Sequence, residues 1–323
     1  MDLSPLDLRI LRYSLENGVL ESEREIAKKL RINPSTLSFK MRKFEDKKII
    51  TNYKYRVDFT KIGFKQIAWV LIMPKFEGKG IREMMDCLLE YPQVHVCLNI
   101  SGKHGFCIKI YSENKKEITE LLEKIQAENK WIKIHKPLFV SKQVKSHNQI
   151  VERKNNYKLD EIALKLLAEK MQNPQERLSD AAKKINIHRN TASAKWKEML
   201  ENKIIVKKTP VINPDLHRQM GIYFMVVQYI RSVDRTDKLE KLLEKMSEVH
   251  ELNCISRDKD YNLLAIIRTK DIHEYYTLMD KFYNEKEFSN NIEKMSSTVI
   301  ISSDSRRHTY LKDIGIQKLV KNS

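Results

Sequence analysis

Glycine is scarce in this sequence, with 8 in 323 residues, and no Gly-rich phosphate loop occurs. Arrangements of the Ser-His-Asp or Cys-His kind, which would supply an activated nucleophile, are lacking as well. These absences argue against nucleotide chemistry and against the common nucleophilic hydrolases. We therefore expect a protein that carries no cofactor and has no enzymatic activity.

Cysteine is also rare, and Cys87, Cys97, Cys107 and Cys254 include no C-x-x-C pair. A zinc site needs four close ligands, so we expect no metal and interpret these residues as free thiols in a reducing compartment. No apolar run approaches the roughly 18 to 20 residues of a membrane helix. Residues 1–4 lack the basic start and apolar core of a signal peptide. The sequence thus predicts a cytoplasmic protein that does not enter the membrane.

Positive charge is what the sequence has in excess. It contains 60 Lys and Arg residues against 43 Asp and Glu, a formal net charge of +17, and its isoelectric point is about 9.5. This balance favours a polyanionic partner, which is DNA, RNA or an anionic membrane surface. The length exceeds one typical domain, and 41% hydrophobic residues are enough to build packed cores.

The sequence repeats itself, with short segments of the first half recurring 153 to 155 residues later. The two-residue change in offset falls between the first two predicted helices, where a loop tolerates an insertion. This pattern indicates an internal duplication. The matched segments are Leu6-Asp7 with Leu159-Asp160, residues 27–30 with 182–185, and Ile49-Ile50 with Ile204-Ile205.

Each half predicts the same series of elements: three helices, a small β-hairpin, and then the order β-α-β-β-α-β of a ferredoxin-like domain. We therefore predict an α+β fold of two tandem units, each a winged helix-turn-helix followed by a ferredoxin-like sensing and dimerisation domain. The predicted helices and hairpins lie at 5–17, 22–31, 34–47 and 49–58, and at 159–172, 176–186, 189–202 and 204–212. The predicted domains are residues 1–62, 63–143, 158–215 and 216–323, with a polar linker at 144–157.

A tight turn before the third helix, followed by a wing, is the arrangement that places a helix in the major groove of DNA. In the first half, Leu37, Met41 and Phe44 share one side of this helix, which we assign to the core. Residues 28–56 hold ten Lys or Arg against two acids, and residues 183–208 hold eight against two. The predicted partner is therefore double-stranded DNA. The predicted DNA-binding residues are Ser35, Thr36, Phe39, Lys40, Arg42, Lys43 and Lys54, and in the second half Arg189, Asn190, Thr191, Lys195, Lys197 and Lys207.

Two of these side chains have distinct expected roles. Arg42 is suited to pair with guanine, whereas Phe39 suits either a thymine methyl group or packing against a partner domain. Because the corresponding residues of the second half differ, two DNA-binding heads would prefer different half-sites.

The order of these motifs resembles the Lrp/AsnC (feast/famine) family of regulators. The resemblance covers nearly the whole chain, twice, and implies a transcription regulator that pairs through its α+β domains into a homo-oligomer. A tandem chain of this kind forms either an internal pseudo-dimer or a dimer with a second chain. The segments that carry the resemblance are residues 6–11, 25–30, 35–42 and 48–51, and Val57-Asp58 with Gly63 ahead of the first strand.

The resemblance also implies an effector pocket at a G-x-x-D turn between the second and third strands of each ferredoxin-like domain. The first half has Gly102 and His104 there but lacks the Asp. The second half has Asp258 and Asp260, with Arg257 in place of the Gly. Candidate contacts of an amino-acid-like effector are therefore Gly102, His104, Asp258 and Asp260, and solvated turns without an effector are the alternative.

Three other functions fit parts of the sequence. One branch that resembles this family is siroheme decarboxylase, sometimes as two fused units, and here His95, His104, Arg257 and Tyr261 would supply its basic and acid-base groups. An architectural chromatin protein would bind DNA with little sequence preference. A protein-interaction scaffold would have the same winged helix-turn-helix domains, but their basic side chains would be solvated and would bind no DNA.

Overall fold

The computed structural model describes residues 3–75, 78–146, 149–151, 159–213, 223–233, 237–256 and 258–305. Arg257 lies outside the described residues. The described residues form two compact units. We call the unit that contains residues 3–63 and 159–213 the head unit, and the unit that contains residues 64–151 and 223–305 the sheet unit. Both halves of the sequence therefore contribute to each unit, and the fold is α+β as predicted.

The elements follow the same order in the two halves. The helices are α1 (Pro5–Asn17), α2 (Glu23–Leu30), α3 (Pro34–Asp46), α4 (Ile81–Leu89), α5 (Lys115–Glu128), α6 (Glu161–Gln172), α7 (Leu178–Lys184), α8 (Arg189–Glu201), α9 (Asp237–Lys245), α10 (Ile272–Asn284) and α11 (Lys286–Ser289). The strands are β1 (Ile50–Val57), β2 (Gln66–Pro74), β3 (Val94–Ile100), β4 (Phe106–Ser112), β5 (Ile132–Ser146), β6 (Gln149–Ile150), β7 (Ile205–Ile212), β8 (Phe224–Ser232), β9 (Val249–Ile255), β10 (Leu263–Thr269) and β11 (Ile292–Ser305). Among the described residues, no helix is long and apolar enough to cross a membrane.

Side-chain caps explain where the first helices begin. Ser4 and Ser22 each accept a hydrogen bond from the backbone amide three residues on, and the carboxylates there, Asp7 and Glu25, each accept one from the amide of the cap residue. These two capping boxes start α1 and α2. The side chain of Asn33 makes no such bond, so α3 begins without a side-chain cap.

The predicted β-hairpins at 49–58 and 204–212 are wrong. Each segment is one strand, and β1 pairs antiparallel with β7 of the other half, with Tyr53 opposite Pro210. Backbone bonds of 2.9 Å from Asp58 to the Ile204 carbonyl and from Asn213 to the Ile49 carbonyl extend this pairing at both ends. Neither segment contains the glycine that a two-residue hairpin turn favours, so each strand finds its partner in the other half.

The sheet unit is a closed ring of strands. Its order is β2, β4, β3, β11, β8, β10, β9 and β5, and β5 also pairs with β2. The antiparallel pairs β5 with β9 and β3 with β11 join the two halves. Helices α4 and α5 cover the apolar outer face of one half, and α9 and α10 cover that of the other. The chain is thus an internal pair of ferredoxin-like folds.

Strand β5 is longer than the sequence predicted. We expected it to end at residue 140 and the polar linker to begin at 144, but it continues to Ser146. Its polar end pairs with β9, where Gln143 lies opposite Asn253 and Lys145 opposite Leu252. Because the partner strand is more than 100 residues away in the sequence, this polar segment looked like a linker.

A buried ion pair crosses the inside of the ring. The ammonium of Lys109 in β4 contacts the carboxylate of Glu251 in β9, and both side chains are at least 95% buried. Glu251 also accepts hydrogen bonds from Gln143 at 3.2 Å and Asn253 at 3.1 Å. Burial alone would lower the pKa of Lys109, but the negative charge of Glu251 outweighs it and raises that pKa. The two halves are therefore joined by an ion pair to which the first half contributes the cation and the second half the anion.

Candidate nucleic-acid interface

The turn between α2 and α3 is tight. Arg31 ends α2 in the left-handed region at φ 53°, and the amide of Ile32 donates to the carbonyl of Ala27 at 3.0 Å. Asn186 at φ 58° and Ile187 repeat both features between α7 and α8. Each half thus has the helix-turn-helix geometry that the sequence predicted.

Helix α3 presents a basic and aromatic face to solvent. Leu37 and Phe44 are buried on the opposite side, as expected. Phe39 is 64% exposed, which is unusual for a large apolar side chain. The accessible face carries Ser35, Phe39 and Arg42, with Thr36 and Lys43 half-buried at its edges.

Two of the predicted DNA contacts hold helices together instead. Lys40 lies 2.8 Å from Asp7, and Lys195 lies 2.9 Å from Asp160, so α3 is joined to α1 and α8 to α6 in the same way. We call each ion pair a clasp. Burial opposes ionisation of Asp7, yet hydrogen bonds from Lys40 and Ser4 outweigh it and lower the pKa of that carboxyl. Lys40 and Lys195 lie at the edge of the outward faces of α3 and α8, where Asp7 and Asp160 neutralise their positive charge.

Lys207, which we predicted as a DNA contact, is buried. Its ammonium donates to the carbonyl of Glu16 at 2.6 Å, near the carboxyl end of α1. The neighbouring Lys208 lies over the ring of Tyr53 at 4.9 Å, and burial lowers its pKa. Lys54, also predicted as a contact, is half-buried in β1 opposite Thr209. Because β1 and β7 pair with each other, they do not form the free wings we expected.

Four cations of the second half, Lys183, Lys184, Lys195 and Lys197, pair with acids. Lys184 lies within 3.1 Å of Glu169 and Glu176, and Lys195 lies 3.3 Å from Glu198 in addition to its clasp. The remaining surface pairs are Lys183 with Asp180 at 4.0 Å and Lys197 with Glu201 at 3.7 Å. Arg189, Asn190 and Thr191 are exposed at the start of α8, and no described acid lies within ion-pair distance of Arg189.

The first half leaves more cations unpaired. Lys29 pairs with Glu21 and Lys40 with Asp7, but six other exposed or half-buried cations of residues 28–56 have no described acid within 4.0 Å. Four of them, in the turn and at the end of α3, were missed in our residue assignment although they fall in the basic stretch 28–56. The six are Lys28, Arg31, Arg42, Lys43, Lys47 and Lys48.

The acids assigned to an effector already hold an ammonium group of the chain. Lys136 lies 2.7 Å from Asp258 and 2.6 Å from Asp260. Asp258 also accepts backbone hydrogen bonds from Asp260 and Tyr261. An effector amine at these acids would have to displace Lys136.

The corresponding turn of the first half is open. Gly102 has φ +86°, and no atom lies within 4 Å of the position that a Cβ would take. The neighbouring Ser101 amide donates to the carbonyl of Val299 at 2.9 Å. His104 is half-buried in this turn.

The chain combines paired helix-turn-helix motifs with a ring of ferredoxin-like folds, and its sequence is similar to those of HTH-type transcriptional regulators. No family model matches the sequence. An uncharacterized HTH-type transcriptional regulator of Pyrococcus furiosus is 26% identical over 125 residues, which are 39% of this chain and 82% of that relative. The HTH-type transcriptional regulator LrpC of Bacillus subtilis is 23% identical over 124 residues, 38% of this chain and 84% of LrpC. These relatives confirm the resemblance that the motif order indicated.

A solved structure matches the chain over almost its full length. It is the siroheme decarboxylase NirDL, solved in co-complex with an iron-uroporphyrin III analogue, with a TM-score of 0.58 and 13% identity. The match covers 98% of this chain and 97% of that chain. At this identity the likeness shows a shared fold.

This match corrects one sequence-based expectation. We expected a protein without enzymatic activity, but the fold that spans the whole chain is that of an enzyme. The expectation relied on the absence of nucleophile and nucleotide motifs, and that absence does not exclude an enzyme that uses other chemistry.

Proposed function

We propose that the chain is a double-stranded DNA-binding transcription regulator of the Lrp/AsnC type, and that its two heads arose by duplication. The observation that carries the proposal is the solvent-facing side of α3. Arg42 and Phe39 project there, with no partner for either among the described residues, next to cations in α2, in the turn and at the end of α3 that have no described acid within 4.0 Å. An exposed aromatic ring among unpaired cations suits a groove edge better than bare solvent.

The proposed division of labour follows from side-chain chemistry. Lys28, Arg31, Lys47 and Lys48 neutralise phosphates, which gives affinity without sequence preference. Arg42 donates two hydrogen bonds to a guanine, and the ring of Phe39 lies against a thymine methyl group.

Short polar side chains complete the proposed contact. Ser35 and Thr36, in the first turn of α3, donate to base edges or phosphates. The first turn of α3 contains no acid, so its amide groups attract a phosphate unopposed.

The test compares two duplexes of equal length, one from the promoter of the chain's own gene and one of random sequence, over a salt series. With about five phosphates neutralised, the logarithm of affinity should fall with the logarithm of salt at a slope of roughly −4 to −5. We expect the promoter duplex to bind at least about tenfold more tightly. Replacing Arg42→Ala together with Lys43→Ala should abolish that preference.

The matched control is the double change Lys116→Ala and Lys124→Ala on α5, which removes the same charge from exposed positions of the sheet unit. It should leave both affinities within about twofold. Equal, steeply salt-dependent binding of both duplexes would instead indicate an architectural DNA-binding protein. No binding to either duplex at about 100 mM salt would refute DNA binding altogether.

The full-length likeness to a siroheme decarboxylase supports a second candidate, an enzyme that removes carboxyl groups from a tetrapyrrole. Its substrate would require cationic side chains for the carboxylates and acid-base groups such as His95 or Tyr261. His95 packs edge-on against Tyr111 at 5.5 Å. Tyr261 lies under the ammonium groups of Lys136 and Lys294.

Titration with iron-uroporphyrin, followed by its visible absorbance, tests this candidate directly. Saturable one-to-one binding at micromolar concentration, weakened at least about tenfold by Tyr261→Phe or Lys294→Ala, would favour the enzyme. Absence of saturation, with DNA binding intact, would favour the regulator.

A further inference from the structure

One face of α10 is apolar and exposed. Ile272 is 58% exposed, Tyr276 71% and Tyr283 69%. At about 100° per residue these three side chains and the half-buried Met279 fall within roughly 60° of one another around the helix. We call these four residues the stripe. Met279 also packs against the core of the sheet unit, which is otherwise met by residues on a neighbouring side of α10, among them Leu278 and Phe282.

The fold itself does not require an apolar residue at the three exposed positions. Helix α5 holds the same place in the first half, and both helices follow a side-chain cap, Asn114 for α5 and Asp271 for α10. Aligned on these caps, Lys115, Thr119 and Gln126 stand where α10 has Ile272, Tyr276 and Tyr283. All three α5 residues are exposed and polar or charged. The same fold therefore forms with a polar face.

The stripe is symmetric along the helix. Its midpoint lies between Thr277 and Leu278, and Ile272 and Tyr283 are equally far from it, as are Tyr276 and Met279. If two such helices pack antiparallel about a twofold axis at this midpoint, Ile272 faces the partner's Tyr283 and Tyr276 faces the partner's Met279. Every apolar side chain then meets another apolar side chain, which is the condition for an isologous contact.

We propose that the stripe is a self-association surface through which two copies of this chain pair, α10 against α10. The other large exposed apolar residues of the described chain are single positions on different elements, such as Ile81 on α4 and Phe39 on α3. None of them offers a second stripe for a head-to-tail contact. Because the internal pair of ferredoxin-like folds already uses the strand edges, this contact is additional to that pairing.

The available area sets the strength of the contact. Large apolar and aromatic side chains bury roughly 150 to 250 Å² each, so the exposed parts of the stripe offer about 400 Å² per chain. A total of about 800 Å² lies below the range of stable dimers, roughly 1,200 to 2,000 Å². The pairing is therefore weak and reversible, with a dissociation constant on the order of 10 to 100 μM.

Sedimentation velocity of the full chain, without DNA, over about 1 to 300 μM tests the proposal. The weight-average mass should rise with concentration from 38.3 kDa towards twice that value. The test variant transfers the α5 residues onto α10 as Ile272→Lys, Tyr276→Thr and Tyr283→Gln. It should weaken the association at least about tenfold, because one desolvated aromatic contact alone is worth that much.

The control is Ile81→Lys, which replaces an exposed apolar residue of α4 and should leave the association unchanged. Circular dichroism melting checks that the α10 variant folds like the wild-type chain. A wild-type chain that stays monomeric throughout would overturn the proposal, and would fit a stripe covered by the chain's own residues 306–323. Association that persists unchanged in the α10 variant would overturn it equally. Neither result depends on whether the chain binds DNA.

Discussion

The two helix-turn-helix motifs of the head unit share their fold and differ in their charge. Both have a clasp, with Lys40 on Asp7 and Lys195 on Asp160, and both give one strand to the shared pair of β1 and β7. Among the described residues, the first leaves six exposed or half-buried cations without an acidic partner, whereas four cations of the second pair with its own acids. The contacts that build a head are thus separable from the charges that would bind DNA. We infer that the second motif acts mainly as the structural partner of the first.

The largest expected effect concerns the end of α1, where the two motifs differ most. Gly18 has φ +83°, and a Cβ there would lie 2.8 Å from the carbonyl oxygen of Lys208. At the matching end of α6, Asn173 has φ −124°. Gly18→Ala should therefore lower the free energy of unfolding by about 2 to 4 kcal/mol, measured by urea denaturation.

Gly63→Ala is the control for this substitution. Gly63 also has a positive φ, +103°, but nothing lies within 4 Å of its Cβ position. It should cost only about 1 to 2 kcal/mol, the price of the left-handed backbone alone. Equal losses at Gly18 and Gly63 would show that close packing of β7 on the end of α1 contributes nothing.

The clasps should differ in strength because they differ in burial. The carboxylate of Asp7 is 9% exposed, whereas that of Asp160 is 49% exposed. Asp7→Asn should lower the free energy of unfolding by about 1 to 2 kcal/mol, and Asp160→Asn by less than about 1 kcal/mol. Asn at position 160 keeps the N-cap oxygen, and Asn at position 7 keeps an oxygen that accepts from the Ser4 amide, so the difference reports on the charge.

The clasps also predict a pH dependence. Hydrogen bonds from Lys40 and Lys195 hold the pKa of Asp7 and Asp160 below the ordinary value, against the effect of burial. A carboxyl whose pKa is lower in the folded state contributes stability above its unfolded value, about 4, and loses it as the pH falls through the folded value. The difference between wild type and Asp7→Asn should therefore shrink as the pH falls below the unfolded value and vanish once the pH is below the folded value. A difference that stays constant from pH 7 to pH 2 would contradict the clasp.

The smallest expected effect is a gain in the second motif. Glu198 occupies the place that Lys43 has in the first half, and it pairs with Lys195 at 3.3 Å. Glu198→Lys should raise DNA affinity about three- to tenfold and steepen the salt dependence by about one unit, as measured by fluorescence anisotropy. Glu123→Lys on α5 adds the same charge to the sheet unit and should change affinity less than about twofold. If both variants gain equally, net charge and not the motif governs binding.

Local periodicity predicted the elements of both halves well. The six helices of the two helix-turn-helix motifs begin and end within a few residues of the expected positions, because apolar spacing and caps are local signals. The same pattern recurs 153 to 155 residues later, so each element assigned in one half was supported by its counterpart in the other half. The β-α-β-β-α-β order followed from the same signals.

Local sequence signals could not predict which segments pair when they lie far apart in the sequence. The segments 49–58 and 204–212 were each assigned a hairpin because a strand needs a neighbour, and the true neighbour lies about 155 residues away. The polar end of β5 was assigned to the linker for the same reason. Lys40 and Lys195 were assigned to DNA from the helix face alone. Their recurrence together with Asp7 and Asp160 was a signal for the clasps that helix periodicity did not reveal.

The central claim is that the first motif binds DNA and the second supports it, and one measurement compares them directly. On the same promoter duplex at one salt concentration, Arg42→Ala with Lys43→Ala is set against Arg189→Ala with Lys197→Ala. The account predicts a loss of at least about 30-fold for the first pair and less than about threefold for the second. Equal losses would contradict it, because the acids of the second motif would then not weaken its contribution to binding.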